Sequence, residues 1–158
     1  MLRIGFGTDT HQLEAGREFW LGGILIPHEK GCLGHSDADA LIHAVIDALL
    51  GAAGLRDIGF RFPDTAEEFK GIDSKILLAR TMELIREKGY AISNIDATIA
   101  LERPKIGSYI PAMAQTLADV MGIESDRLSI KAKTGEKLGF IGREEGISAF
   151  AVVLLQKS

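Results

Sequence analysis

An aspartate and two histidines carry the first chemical signal in this chain. Asp9-Thr10-His11 sets a carboxylate and an imidazole two residues apart. On an extended strand that spacing puts both on one face, roughly 7 Å apart at the backbone. Gly5 and Gly7 lie upstream on the same face and leave room for an approaching group. His43 follows in a run that reads as helix, with Asp39 and Asp47 one turn to either side. One carboxylate plus two imidazoles, with a fourth position open, is the donor set of a catalytic zinc site. Asp47 is spaced to accept the other ring N–H of His43 and fix its tautomer. Gly34-His35-Ser36-Asp37-Ala38-Asp39 feeds the helix, where free backbone N–H groups favour a phosphate. Taken alone, the trio also arises without a metal, and Ser36 and Asp37 also read as plain helix caps.

These side chains need a sheet and a helix to hold them. Residues 2–11 alternate as a strand, with Leu2, Ile4 and Phe6 on one side and Gly5, Gly7, Asp9 and His11 on the other. Phe19 to Leu25 is a second strand candidate. Ala38 to Ala52 reads as a helix, capped by Ser36 or Asp37 and packed through Leu41, Val45, Ala48, Leu49 and Ala52. Ser74 to Lys88 is a second helix, stopped by Gly89. Residues 91–101 alternate as a strand. Pro111 opens a third helix through Met113, Leu117, Val120 and Met121, ended by Gly122. Leu128 to Thr134 is a strand. The last element, Ile147 to Leu155, is apolar on both faces, as in a strand buried on both sides. Helices cover one face, and the other requires a cover from a second subunit. The fold expected is α+β: a single two-layer domain over 1–158, with a four-stranded, mainly antiparallel or mixed sheet and helices on one face.

Composition narrows the functional classes. A chain of 158 residues with 46% hydrophobic and 25% charged residues is one ordinary globular domain rather than a disordered segment. A net charge of −4 argues against a general nucleic-acid binder, which carries a basic stripe. Cys32 is the only cysteine, so no disulfide framework exists and a reducing cytoplasm fits. No charged segment followed by an apolar run opens the chain. The longest apolar-rich stretch, Ala38 to Gly54, is too short for a bilayer and is broken by Asp39, His43 and Asp47. The expected setting is cytoplasmic, without a membrane partner, or a mature form freed of a transit peptide.

The residues resemble, end to end, the 2-C-methyl-D-erythritol 2,4-cyclodiphosphate synthase family of the non-mevalonate isoprenoid pathway. The likeness is carried by Asp9-Thr10-His11 and by the run from Gly34 to Ala52. It continues in Asp57-Ile58-Gly59, Phe62-Pro63-Asp64-Thr65, Pro104-Lys105, Glu136-Lys137-Leu138-Gly139-Phe140 and Gly142-Arg143. The resemblance implies zinc on Asp9, His11 and His43, transition-state stabilisation by His35 and Thr134, and a second divalent ion, magnesium or manganese, at Glu136. It implies that Asp57, Ile58, Gly59, Phe62 and Asp64 line the methylerythritol end, with His35, Ser36, Pro63 and Thr65 also among the substrate-binding residues. Leu101, Pro104, Lys105, Ile106, Ala132, Lys133 and Thr134 then form the cytidine and phosphate pocket. In the family that pocket belongs to a neighbouring subunit of a homotrimer, whose central channel offers Phe140 and Arg143 to an isoprenoid diphosphate. Lys133 and Gly135 stand where small hydroxyl residues are expected, and Phe150 where some members carry a glutamate.

The reaction implied is intramolecular phosphoryl transfer. The 2-phosphate of a cytidine diphosphate-linked methylerythritol attacks the β-phosphorus and CMP leaves. An anion attacking an anion needs charge neutralisation and folding of the substrate more than a base. A zinc phosphohydrolase built on His-Asp dipeptides is the enzymatic rival, and none of His11, His28, His35 and His43 sits in such a pair. A binding module with structural zinc is the other rival, and a fourth ligand such as His28 would favour it.

Overall fold

Alternation along the first strand runs further than residue 11 and fixes which face meets the helices. The computed structural model describes residues 1–158. In chain order the elements are β1 (Leu2–Ala15), β2 (Phe19–Leu21), β3 (Ile24–Ile26), β4 (Lys30–Cys32), α1 (Ala40–Ala52) and the one-turn α2 (Ile58–Arg61). There follow α3 (Ser74–Glu87), β5 (Tyr90–Ala100), α4 (Ile110–Met121), β6 (Leu128–Lys133), the one-turn α5 (Gly139–Gly142) and β7 (Gly146–Lys157). The mixed sheet has five strands in the order β4-β1-β7-β5-β6, and only β5 and β6 run parallel. The expected four strands become five because short β4 joins the far end of β1, with Leu13 opposite Cys32.

The segment from Phe19 to Leu25 is a hairpin rather than a single strand. Leu21 pairs with Ile24, and Gly22 and Gly23 turn the chain at φ of 60° and 76°. A two-residue turn with both φ values positive suits glycine, whose lack of a Cβ removes the penalty. The hairpin is tied to the helix layer by Asp39. Its carboxylate accepts N–H bonds from Gly22 at 2.9 Å, Gly23 at 2.7 Å and Ile42 at 3.1 Å. Asp39 is therefore the cap of α1, in place of Ser36 or Asp37. Ala38 adopts a positive φ of 58°, so the helix cannot begin before it.

One sheet face is packed and the other open. Ile147, Ala149, Ala151, Val153 and Leu155 of β7 are buried under the helices, along with Ile95, Ala97 and Ile99 of β5. On the opposite face Ile4 and Phe6 are 74% and 62% exposed, beside half-exposed Phe150 and Val152. α1 is buried almost all round, with His43 and Asp47 its only polar side chains. Its alanines lie directly on β1: a Cβ added at Gly5 would come within 2.8 Å of Ala52, and one at Gly7 within 2.6 Å of the Ala48 nitrogen. The two glycines leave room for helix α1. α4 ends at Gly122 in the left-handed region, as its sequence predicts.

Candidate metal centre

The close approach of α1 to β1 brings His43 against Asp9. Asp9 and His11 point to the helix side of β1, opposite Ala149 and Ile147 of β7. His43 Nδ1 lies 3.1 Å from Asp9 Oδ2, and His11 Nε2 lies 2.6 Å from the same oxygen. The potential ligand atoms of all three residues fall within 4.8 Å of one another. His28 lies apart, packed beside Phe19.

The outer nitrogens of the two rings decide what the inner ones can do. His11 Nδ1 is 2.9 Å from the Leu33 carbonyl, which only accepts, so that nitrogen carries the proton. Neutral His11 then aims the lone pair of Nε2 at Asp9. That nitrogen is buried, and in the neutral ring it has no proton to donate to the carboxylate beside it. His43 Nε2 faces Ser74 Oγ at 2.9 Å and Ser36 Oγ at 3.1 Å, leaving Nδ1 toward Asp9. A carboxylate and two imidazole lone pairs converging on one point fit a divalent cation of the zinc type.

The charges agree with that reading. Burial pushes the Asp9 carboxyl up, but the bonds and charges of His11 and His43 outweigh it and leave its pKa below the ordinary 3.8. Burial pushes His11 down, yet the Asp9 bond and charge, helped by the Leu33 carbonyl, raise it above 6.5. Buried Cys32 is an inert core thiol, its pKa pushed up to about 12 by burial and by neighbouring carboxylates.

Beside the cluster lies a cleft of about 320 Å³ lined by His11, His35, Ser36, His43, Ile58, Gly59, Phe62, Asp64 and Phe69, among others. His35 Nε2 is 3.0 Å from the Ala66 carbonyl, which ties it to the loop after α2. Asp57, Pro63 and Thr65 flank that wall on the exposed side. Asp47 does not reach His43. Its carboxylate accepts the Ile58 N–H at 3.1 Å and holds α2 against the end of α1. Burial raises its pKa, partly offset by that N–H. The first turn of α1 is buried from Ala38 to Ile42, with the Ile42 N–H taken by Asp39, while Gly34, His35 and Ser36 before it line the cleft.

The remaining sequence-derived residues lie elsewhere. Asp9 pairs with Ala149, Ala149 with Ile99, and Ile99 with Ala132. Three strand spacings, about 14 Å, thus separate Asp9 from the β6 end within one chain. Ala132, Lys133, Thr134 and Glu136 are exposed there, with Glu136 at a positive φ of 52°. Lys105 is exposed and Pro104 partly so, after a cis bond from Arg103. Leu101 and Ile106 are core side chains and offer a ligand only backbone. Phe140 and Arg143 sit on and after α5, where Arg143 pairs with Glu145 at 2.8 Å. Ser74 and the Leu33 carbonyl were missed by sequence reasoning. A serine opening a helix and a loop carbonyl give no pattern of their own, and Asp37 was assigned to the wrong helix.

A two-layer α+β domain that aims a carboxylate and two imidazoles at one point beside an open cleft has the form of an enzyme with a candidate metal site. The match to the YgbB family model covers residues 2–156, and the chain belongs to that family. A 2-C-methyl-D-erythritol 2,4-cyclodiphosphate synthase of Bacteroides fragilis is 67% identical over 99% of this chain and 98% of its own. That of Bacteroides thetaiotaomicron is 65% identical over the same shares. A solved 2C-methyl-D-erythritol-2,4-cyclodiphosphate synthase with CDP bound superposes with a TM-score of 0.90 at 42% identity, covering 98% of this chain and all of that one.

Proposed function

We infer that this chain is a lyase that cyclises 4-diphosphocytidyl-2-C-methyl-D-erythritol 2-phosphate to 2-C-methyl-D-erythritol 2,4-cyclodiphosphate in non-mevalonate isoprenoid synthesis. The observation that carries the reading is the convergence of Asp9, His11 and His43 in a chain of this family. An oxygen of the 2-phosphate forms a bond to the β-phosphorus. The bond from that phosphorus to the bridging oxygen breaks, and CMP departs with its electron pair. No proton need be abstracted, since the nucleophile is already an anion.

Asp9, His11 and His43 would hold zinc, which when bound neutralises phosphate charge and acts as Lewis acid. The side chains around it hold and fold the substrate. Ile58, Gly59 and Phe62 form a wall for the methylerythritol carbons, with Asp64 available to its hydroxyls. His35 stands at the cleft as a donor to phosphoryl oxygens once its bond to Ala66 yields. Thr134 is its counterpart on the nucleotide side, and Glu136 would hold magnesium or manganese on the diphosphate. Lys105 and Lys133 add positive potential there. Shutting water from the cleft favours ring closure over hydrolysis.

The active unit in this reading is a homotrimer with sites between subunits. Two features support it. Ile4, Phe6, Phe150 and Val152 make an open sheet face too apolar for a lone domain, and three such faces closing about an axis would bury it. The zinc half and nucleotide half of one chain lie about three strands apart, so a neighbour is needed to join them. Phe140 and Arg143, near the mouth of such a channel, suit an isoprenoid diphosphate head. No helix is long and apolar enough to cross a membrane, and a cytoplasmic setting fits the lone buried thiol. The test is product analysis. With the cytidyl substrate, zinc and magnesium, phosphorus NMR should find CMP and the cyclic diphosphate in equal amounts. A linear phosphate product would make the chain a hydrolase.

A further inference from the structure

The far side of His43 holds a pair of groups with no evident part in packing alone. Ser74, the first residue of α3, is fully buried, and its Oγ lies 2.9 Å from His43 Nε2. The Ser74 hydroxyl donates to Asp37 Oδ1, while Asp37 Oδ2 accepts the Ser74 N–H at 2.9 Å. Asp37 is itself held by its own N–H on the Ile72 carbonyl at 3.1 Å, and its Oδ1 faces the Asp39 N–H at 3.2 Å. A serine hydroxyl has one proton. With that proton committed to the carboxylate, Ser74 Oγ can only accept from His43. His43 Nε2 must then carry the ring proton, and Nδ1 is left as a lone pair toward Asp9. Ser36 Oγ, 3.1 Å from the same nitrogen, also takes the Ala38 N–H, borders the open cleft and offers a second acceptor to the same ring proton.

We propose that Ser74 and Asp37 are positioning residues that fix the His43 tautomer and ring, so that Nδ1 is presented to the metal. The proposal rests on the zinc reading above and adds a relay from α3 and the loop before α1 to the ligand. It also assigns to Ser74–Asp37 the part that spacing alone gave to Asp47. A carboxylate acting through an intermediate group on a ligating imidazole raises its basicity as well as orienting it.

The test compares Ser74→Ala, Asp37→Asn and Ser74→Thr with the parent and with Thr81→Ala. Thr81 is an equally buried hydroxyl of α3, but it bonds the Leu77 carbonyl and touches no ligand. Zinc affinity is read by competition with a chromogenic chelator, and the His43 tautomer by long-range proton–nitrogen NMR on the metal-free proteins. Ser74→Ala should bind zinc about 10–100-fold more weakly and show a mixed tautomer. Asp37→Asn, which turns one acceptor into a donor in either orientation, should move the same way, while Ser74→Thr restores both readings. Unchanged affinity and tautomer in Ser74→Ala would overturn the relay, as would an equal loss in Thr81→Ala, which would mark a general effect of loosening α3. Failure of the parent itself to take up zinc would overturn the metal reading first, and the relay with it.

Discussion

Replacing Gly7 by alanine should dismantle the metal cluster without touching any ligand. The added Cβ would lie 2.6 Å from the Ala48 nitrogen and nearer still to the Ala44 carbonyl, where ordinary contact begins near 3.4 Å. Both partners are backbone, so no side chain can swing away, and opening the 2.0 Å approach to the Ala44 carbonyl to 3.4 Å parts β1 and α1 by about 1.4 Å. Overpacking of this kind costs roughly 1–3 kcal/mol. Asp9 is two residues along β1 and His43 is next to Ala44 on α1, so the 3.1 Å approach of Asp9 to His43 opens with the same movement. Misplacement by about 1 Å can cost on the order of 100-fold in rate. Gly51→Ala is the matched control. Its Cβ meets nothing within 4 Å on an exposed position of α1. It should stabilise the protein by about 0.5–1 kcal/mol. The assay is thermal melting of the metal-free proteins, with zinc content by elemental analysis and turnover alongside. Gly7→Ala should melt lower, lose zinc and lose most activity. A Gly7→Ala protein with parental zinc and turnover would refute the reasoning that this contact sets the cluster.

Asp47→Ala should leave zinc affinity unchanged and raise KM, because it frees the Ile58 N–H and loosens the Ile58–Phe62 wall; loss of zinc would return Asp47 to its expected part in supporting the His43 ring. Glu136→Gln should weaken magnesium or manganese dependence while zinc stays; the reverse pattern would misassign the two ions. The metal-free protein should show a pH signature of the Asp9–His11 pair. His11, raised above 6.5, stabilises fully below that value and loses the contribution as pH rises through its folded pKa. Asp9, lowered below 3.8, stabilises above that value and loses its contribution as pH falls through the folded pKa. Denaturant melts in chelator should therefore lose stability above about pH 6.5, with the slope diminished in His11→Ala; an identical slope in that variant would refute it. Zinc uptake should run the other way, improving as His11 sheds its proton.

How far the sequence carried these conclusions depended on whether a signal was local. Helix ends at Gly89 and Gly122 were legible, because glycine in a left-handed turn is a local requirement. The shared face of Asp9 and His11 in the candidate metal cluster was legible because a two-residue strand spacing is geometry in itself. Asp47 was misjudged because a helical wheel shows that two residues share a face but not what packs over it; here α2 claims the carboxylate. Gly5 and Gly7 were read as room for a ligand, whereas the occupant is a helix forty residues on. The Phe19–Leu25 segment read as one strand because its apolar run hid a glycine turn. Ser74 is the plainest case: its part in the site exists only once α3 is docked against α1.

The shared site is the claim on which the functional account depends most, and one mixing experiment tests it directly. In the proposed arrangement His43→Ala removes a ligand from the zinc half, and Thr134→Ala removes a hydroxyl from the nucleotide half, which lies about three strands away. Each variant alone should be inactive. After subunit exchange, verified by native mass spectrometry of differently tagged chains, mixed trimers should contain some sites with both halves intact and recover part of the parental rate. Exchanged trimers that stay inactive, or an active parent that sediments as a monomer, would mean that each chain completes its own site.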